Sequence, residues 1–402
     1  MKLACVVGTR PQIIKAAAVW PALHRDHRAF LVDTGQHYDE ELAGHFFGEL
    51  RLPPPAHQLG VGSGSPARQV AAMIDRLEPL LLDDRPDAVV VFGDTNSTLA
   101  GALVAAKLEL PLAHVEAGLR SFDRRMPEEI NRVVVDHLAG LLFAPNEGAA
   151  ANLRAEGIGG GPARSIGGPS RGARTADGAR TAADVGTSRD VRVEVVGDLM
   201  QDLCAATLDA VRDPASVGRH APGGIASLGL VPGEYLFATV HRAENRDPDA
   251  LRAWLALLGS LDRPVVLALH PGTRRVIDER DCVLPGNVHE VPPQGYRTTL
   301  ALQLHAGAVV TDSGGVQREA AWLGTPALIL RESTEWPETL EAAGGHSALV
   351  GRDAARALAA LARLAPRADA ARAARDRARW ASVQESGAAD AISASLGAWL
   401  AR

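Results

Sequence analysis

Cysteine is nearly absent from this chain of 402 residues, which carries three, Cys5, Cys204 and Cys282. None stands in a CxxC pair and each falls in or beside an apolar run, so neither a zinc site nor a disulfide frame is expected, and a reducing compartment fits. Long hydrophobic runs are missing as well. No stretch approaches the roughly 18 apolar residues that a membrane-spanning helix needs. Met1 leads straight into the strand-like KLACVV without a longer apolar region, so export is not expected and the chain is assigned to the cytoplasm. Nor is there an excess of positive charge. Forty-two basic residues face 48 acidic ones, a net charge of -6, which argues against general affinity for nucleic acid or an anionic membrane. Local basic clusters must then serve local anions. Hydrophobic residues make up 46% of the chain, ample for buried cores, and the length suggests two or three domains.

What is present concentrates in HVEAGLRSFDRRMPEEINR, His114 to Arg132, which sets four carboxylates and four arginines between an apolar run and a helix. Pro111 to Val115 has the length of a short strand. Pro127 suits the first turn of a helix, and Glu128 and Glu129 favour its N-terminal dipole. Glu116 thus lies at the carboxyl end of a strand, the edge where open parallel sheets bind ligands. The alternative is a surface loop leading into a well-capped helix.

Strands and helices alternate on both sides of this stretch. Lys2 to Val7 reads as a buried strand, followed by GTRP and the helical pattern Ile13 to Leu23. Arg10 and Lys15 face that helix's N-terminus, which suits a phosphate group, or they are two solvated cations. Ala29 to Asp33 is a second strand with Gln36 and His37 at its end; a histidine there is also read as a structural hydrogen-bonding group. The helix Pro66 to Leu82 leads to the strand Ala88 to Phe92. The turn GDTNSTL then puts Asp94 on the same sheet edge as Glu116, either as a functional carboxylate or as a helix cap. LLFAP adds a strand and NEGAAANLRAEG a helix. Gly159 to Arg192 holds six arginines and three aspartates with only isolated apolar residues, and reads as a flexible, solvated insertion.

From Val193 the alternation resumes, with strands at Val193–Val196, Tyr235–Thr239, Val265–Ala268, near Val288 and at Ala308–Thr311. His241, Arg242 and Glu244 follow one of these strands; His270 and Arg274 follow another. In DSGGVQREA, Gly314 and Gly315 let backbone N–H groups approach an anion at a helix N-terminus. Glu319 lies one turn further along that helix, a spacing suited to ribose hydroxyls, and with Ser313 the turn favours a nucleotide. The expected organisation is α/β with two Rossmann-like doubly wound halves: residues 1–158, an insertion over 159–192, residues 193–366, and a helical tail over 367–402 that breaks near Gly387 and packs across both domains.

Six blocks, GTRPQIIK, GDTNSTLAGALVAAK, HVEAGLRS with PEEINR, VHRAEN, TDSGGVQREA and LGTPALILRESTEWPET, stand in an order and at separations that resemble the non-hydrolysing UDP-N-acetylglucosamine 2-epimerases. The likeness covers nearly the whole chain outside Gly159 to Arg192. It implies two Rossmann-like domains facing across a cleft in the glycosyltransferase-B manner, a UDP-sugar substrate, a homodimer, a place in polysaccharide biosynthesis, and no metal or redox cofactor. The implied reaction interconverts UDP-N-acetylglucosamine and UDP-N-acetylmannosamine. Expelling UDP from carbon 1 makes the ring cationic, so that a carboxylate removes the proton at carbon 2 and another returns it on the opposite face. By this likeness Asp94, Glu116 and Glu128 transfer protons and steady the cation, with His241 near the diphosphate. Arg10, Lys15, Ser313, Gly314, Gly315 and Glu319 match nucleotide contacts, and Gln294 is placed near the uracil.

The chain departs from the pattern in places. Gln12 stands where many members have glutamate, Trp336 where some present arginine, and Tyr38 where members regulated by their own substrate carry arginine. GTRPQIIK, DTGQHYD, SFDRRMPEE and TEW look more like the subgroup that includes the UDP-2,3-diacetamido-2,3-dideoxyglucuronate 2-epimerase, which makes that uronate the expected better substrate. Arg124 and Arg125 suit its carboxylate; solvent-facing arginines or a pair with Asp123 are the other readings. The rival classes are a hydrolysing epimerase, a UDP-sugar glycosyltransferase and a non-catalytic sugar-binding regulator.

Overall fold

A computed structural model describes residues 1–36, 47–159, 191–219, 228–381 and 383–401. His37, Tyr38 and residues 160–190 of the expected insertion lie outside the described residues. The chain divides into two units. The first holds Met1–Asp39, Pro54–Asp198 and Gly387–Arg402, and the second Glu40–Pro53 with Leu199–Ser386.

The first unit is built on seven parallel strands: β1 (Lys2–Val7), β2 (Arg28–Asp33), β3 (His57–Gln58), β4 (Ala88–Phe92), β5 (Leu112–Val115), β6 (Leu141–Ala144) and β7 (Arg192–Val195). Their order is β3-β2-β1-β4-β5-β6-β7, with Val6 level with Val32 on one side and Val91 on the other. The central strands read AVVVF and LLFA because helices cover both faces, leaving no position for a polar alternation. Strand order reverses direction between β1 and β4, so the chain leaves these neighbours toward opposite sides and opens a crevice at their carboxyl ends. Gly8, at the end of β1, must be glycine: a Cβ there would lie 2.0 Å from Thr34 Oγ1 and 2.3 Å from Ser97 Oγ.

The second unit repeats this plan with β8 (Leu236–Thr239), β9 (Val265–Ala268), β10 (Val288–Val291), β11 (Ala308–Thr311), β12 (Ala327–Ile329) and β13 (Ser347–Leu349). All pair in parallel in the order β10-β9-β8-β11-β12-β13, which puts its crevice between β8 and β11. Trp254 and the leucines of helix Pro248–Ser260 fill one face of this sheet.

The division differs from the expected one in three places. The strand expected to open the second half is β7, and Leu141 to Ala144 pair with Arg192 to Val195, so it closes the first sheet and the boundary falls after Asp198. A short stretch of the first half joins the second unit: Glu49 accepts the N–H groups of Tyr296 and Arg297, each at 2.8 Å, capping helix Tyr296–His305 where the local N-cap Gly295 has no side chain to do so. The tail is two helices rather than one stretch. Arg367–Trp380 belongs to the second unit, and Ala388–Leu400, begun by Gly387 in the left-handed region, belongs to the first. There Ser393 Oγ donates to Asp26 Oδ2 at 2.8 Å and to the Ala22 carbonyl at 3.1 Å.

Among the described residues no helix is long and apolar enough to cross a membrane. The three cysteines are free thiols, and burial pushes Cys5 up to about 12.

Gln12 is fully buried, and its amide donates to the Phe92 carbonyl and to Thr98 Oγ1, both at 3.0 Å. These bonds tie the helix after β1 to the end of β4. A carboxylate has no hydrogen to donate, so Gln12→Glu would set an anion against a carbonyl oxygen. The expected loss is about 1–3 kcal/mol, read as a lower melting temperature. An unchanged melting temperature would show that the amide is not the tie.

Candidate active site

Three turns meet at the carboxyl ends of β1, β4 and β5. Lys15, on helix Arg10–Asp26 after β1, makes an ion pair with Glu116 Oε2, and both side chains are nearly buried, at 8% and 9% exposure. Gly93 lies beside that pair with φ +64°; a Cβ there would come within 2.8 Å of Lys15 Nζ and 3.3 Å of Glu116 Oε2. Glu116 itself adopts φ +70°, a conformation that costs a non-glycine residue free energy and turns the chain sharply as it leaves β5. The next residue after Gly93 is Asp94, whose Oδ2 receives Arg132 Nη2 at 2.5 Å and whose carbonyl receives Asn131 Nδ2 at 2.8 Å. Asp94 is thus held by helix Pro127–Leu138. It does not cap the helix after β4, where Thr95 and Thr98 form the capping box.

The two glutamates at the start of helix Pro127–Leu138 have different fates. Glu129 is buried and accepts from Ser121 N and Oγ at 2.8 and 2.9 Å, Phe122 N at 3.0 Å and Arg132 Nη1 at 3.0 Å. It clamps the loop after Arg120, including Phe122 in the left-handed region. Glu128 is half-buried, three and four positions before Asn131 and Arg132, on the helix face that reaches Asp94. Arg125 pairs with Asp123 Oδ2 at 2.7 Å and is 91% exposed, while Arg124 is also exposed. Arg10 is half-buried at the first position of its helix.

Burial opposes ionisation of Glu129, but the Ser121 and Phe122 donors and Arg132 outweigh it and hold its carboxyl below the usual range. A depressed carboxyl contributes stability that is present above its unfolded-state value and is lost as pH falls through the folded one. Glu129→Gln should therefore melt well below the parent near pH 7, with the gap closing between about pH 5 and 3. A gap that does not change with pH would mean that the charge of Glu129 is not what holds the loop.

In the second unit the turns after β8 and β11 are joined by Asp312. This fully buried carboxylate accepts from the backbone N–H of His241 at 3.1 Å and Arg242 at 2.9 Å and from Asn245 Nδ2 at 2.8 Å, and it lies 3.4 Å from His241 Nδ1. The His241 ring stays 45% exposed at the crevice mouth. Ser313 caps helix Gly314–Leu323, its Oγ accepting from Val316 N at 3.4 Å. The glycine pair also answers to its neighbours, since a Cβ on Gly314 would sit 3.3 Å from the Trp336 indole nitrogen and one on Gly315 3.3 Å from Met200 Cε. Trp336 is buried, with the Arg318 guanidinium 3.9 Å over its ring, which sets a cation beside it. Glu319 is buried and accepts from Gln303 Nε2 at 2.6 Å; Gln294, also buried, donates to the Pro292 carbonyl at 2.6 Å.

The structure therefore brings Lys15, Asp94 and Glu116 together in one unit, and His241, Ser313, Gly314 and Gly315 in the other. Arg132, Asn131 and Asp312 escaped the sequence reading although each stands inside a block that it quoted. The signal available was position: Asp312 directly follows a strand, and Arg132 lies four residues after Glu128 on one helix face.

The UDP-N-acetylglucosamine 2-epimerase family matches residues 22–389. The chain is 38% identical to the UDP-N-acetylglucosamine 2-epimerase of Methanocaldococcus jannaschii, over 87% of this chain and 88% of that protein. It is also 38% identical to the UDP-2,3-diacetamido-2,3-dideoxy-D-glucuronate 2-epimerase of Pseudomonas aeruginosa, with the same coverage of 87% and 88%. In structure it is similar to the M. jannaschii UDP-GlcNAc 2-epimerase crystallised in complex with UDP-GlcNAc and UDP, with a TM-score of 0.80 and 34% identity over 99% of this chain and 100% of that one.

Proposed function

Because this chain belongs to the UDP-N-acetylglucosamine 2-epimerase family, whose members are isomerases, we propose that it interconverts UDP-N-acetylglucosamine and UDP-N-acetylmannosamine by eliminating and re-adding UDP with inversion at carbon 2. The observation that supports this reading is the convergence of Lys15–Glu116 and Arg132–Asp94 at the carboxyl ends of β1, β4 and β5. Proton removal from one face and return on the other needs two carboxylates held apart in distinct settings, and here one is paired with an ammonium and the other with a guanidinium. Glu128 joins them as the third carboxylate that steadies the cationic ring. Arg10 and Lys15 in the first unit, and His241, Gln294, Ser313, Gly314, Gly315 and Glu319 in the second, are the proposed nucleotide contacts.

The experiment is turnover of UDP-N-acetylglucosamine in heavy water, followed by proton NMR. Product carrying deuterium at carbon 2 is expected, since the original proton leaves and a solvent proton returns. Full retention of hydrogen there sinks the mechanism. Accumulation of UDP and free sugar would make the chain a hydrolase, and reaction only with an added acceptor would make it a glycosyltransferase. The two relatives at 38% identity weigh equally for the carbon-6 hydroxymethyl and carboxylate sugars. Of the arginines suited to a uronate, Arg125 is already engaged by Asp123, which leaves the N-acetylglucosamine reading in front. Its rival is decided by comparing kcat/KM for both substrates. The family likeness also leads us to place the enzyme in the cytoplasm as a homodimer that supplies nucleotide sugar for polysaccharide biosynthesis.

A further inference from the structure

Beneath the two carboxylate-bearing turns of the first unit runs a row of charges, buried at His114, Asp136 and Arg120 and ending at the surface on Glu156. His114, on β5 and fully buried, stands between two acceptors: Nδ1 is 2.7 Å from Asp136 Oδ1, and Nε2 is 2.8 Å from the Gly93 carbonyl oxygen. A carbonyl oxygen only accepts, so Nε2 carries a hydrogen. The other oxygen of Asp136 accepts from Arg120 Nη1 at 2.7 Å and from the Gly118 N–H at 3.1 Å, contacts that favour the carboxylate over the acid. Nδ1 then donates as well, and a ring that donates from both nitrogens is an imidazolium. Glu156 grips Arg120 from the far side with bonds of 2.7 and 2.8 Å, closing an alternating row of two cations and two anions. Burial works against the charge on Asp136, but His114 and Arg120 overcome it and hold the carboxyl below its usual range.

We propose that His114 is a positioning residue for the epimerase reaction, whose two ring nitrogens fix the turn bearing Asp94 and the turn bearing Glu116 as one body. Gly93, which His114 holds by its carbonyl, precedes Asp94, and its own N–H donates to the Val115 carbonyl at 2.9 Å. Asp136 receives His114 just before Glu116 and Gly118 just after it, so the sharp bend at Glu116 is pinned at both ends. A neutral ring has one donor and would hold only one of its two acceptors. The inference rests on the reading that Asp94 and Glu116 act on the substrate.

The test uses full-length protein labelled with nitrogen-15 at histidine. In neutral buffer one ring with both nitrogens protonated and slow to exchange is expected, without any variant. Its absence overturns the imidazolium. Asp136→Asn, checked for folding by circular dichroism, is expected to remove that signature and to lower kcat about tenfold or more while KM stays within about threefold, because the turns lose their register rather than their ligand contacts. An unchanged kcat in the folded variant, or a loss confined to KM, overturns the positioning role; should that variant not fold, His114→Gln is read by the same criteria. If the parent protein turned over no UDP-sugar, the substrate reading would fall while the nitrogen spectrum still decided the protonation state.

Discussion

Replacing Glu116 by glutamine is expected to lower kcat for UDP-N-acetylglucosamine on the order of a thousandfold, because the amide keeps the shape of the side chain and loses its capacity to take a proton. Asp94→Asn should fall by on the order of a hundredfold or more for the same reason, and Glu128→Gln by a similar factor because the cationic ring loses the charge that steadies it. The three are not equivalent in the structure. Glu116 faces Lys15, Asp94 faces Arg132, and Glu128 is half-buried at the helix start. Wash-in of deuterium at carbon 2 separates their tasks: a variant that still exchanges the proton but yields no epimer has lost the return step, and one that exchanges nothing has lost the removal step. Near-normal turnover in all three would refute the assignment, whatever the family likeness.

Much of the fold was legible because buried parallel strands leave continuous apolar runs. Lys2–Val7, Ala88–Phe92, Val265–Ala268 and Ala308–Thr311 read from sequence with the bounds they have in the structure. Strands too short to leave a pattern were passed over: β3 has two residues, and β12 and β13 have three each. Helix Pro271–Glu279 hid behind its charges, whereas Ala354–Leu364, with its stripe of Ala357, Ala360 and Leu361, was readable and was missed. The expected boundary before Val193 failed for a different reason: nothing local distinguishes an edge strand that closes one sheet from a first strand that opens the next.

In the site, sequence marked the residues that stand at strand ends and overlooked those that hold them there. Arg132 reaches Asp94 across 38 positions, and Asp312 reaches His241 across 71. Such pairs follow from strand order, which periodicity does not encode. By position Glu128 and Glu129 both suit the helix dipole, and the likeness singled out Glu128 alone; that Glu129 is a clamp follows only from the loop folded back onto it.

The Lys15–Glu116 pair gives the largest expected effect on stability. Both side chains are nearly buried, so removing either partner strands a charge in a poorly solvated site. Lys15→Met alone should destabilise the first unit by about 3–5 kcal/mol, since breaking a buried pair costs far more than the pair contributes. Glu116→Gln should cost somewhat less, because the amide still accepts a hydrogen bond from the ammonium. The double variant Lys15→Met, Glu116→Gln removes both charges and should recover most of that loss, a coupling of at least about 2 kcal/mol in urea denaturation. Turnover should not recover with it, because neither a proton acceptor nor a cation for phosphate is restored. The exposed pair Arg25–Asp390 serves as the control, where a cycle is expected to show no measurable coupling. If the Lys15 and Glu116 losses simply add, the two side chains do not share their burial, and the convergence on which the proposed function rests is not an ion pair in solution.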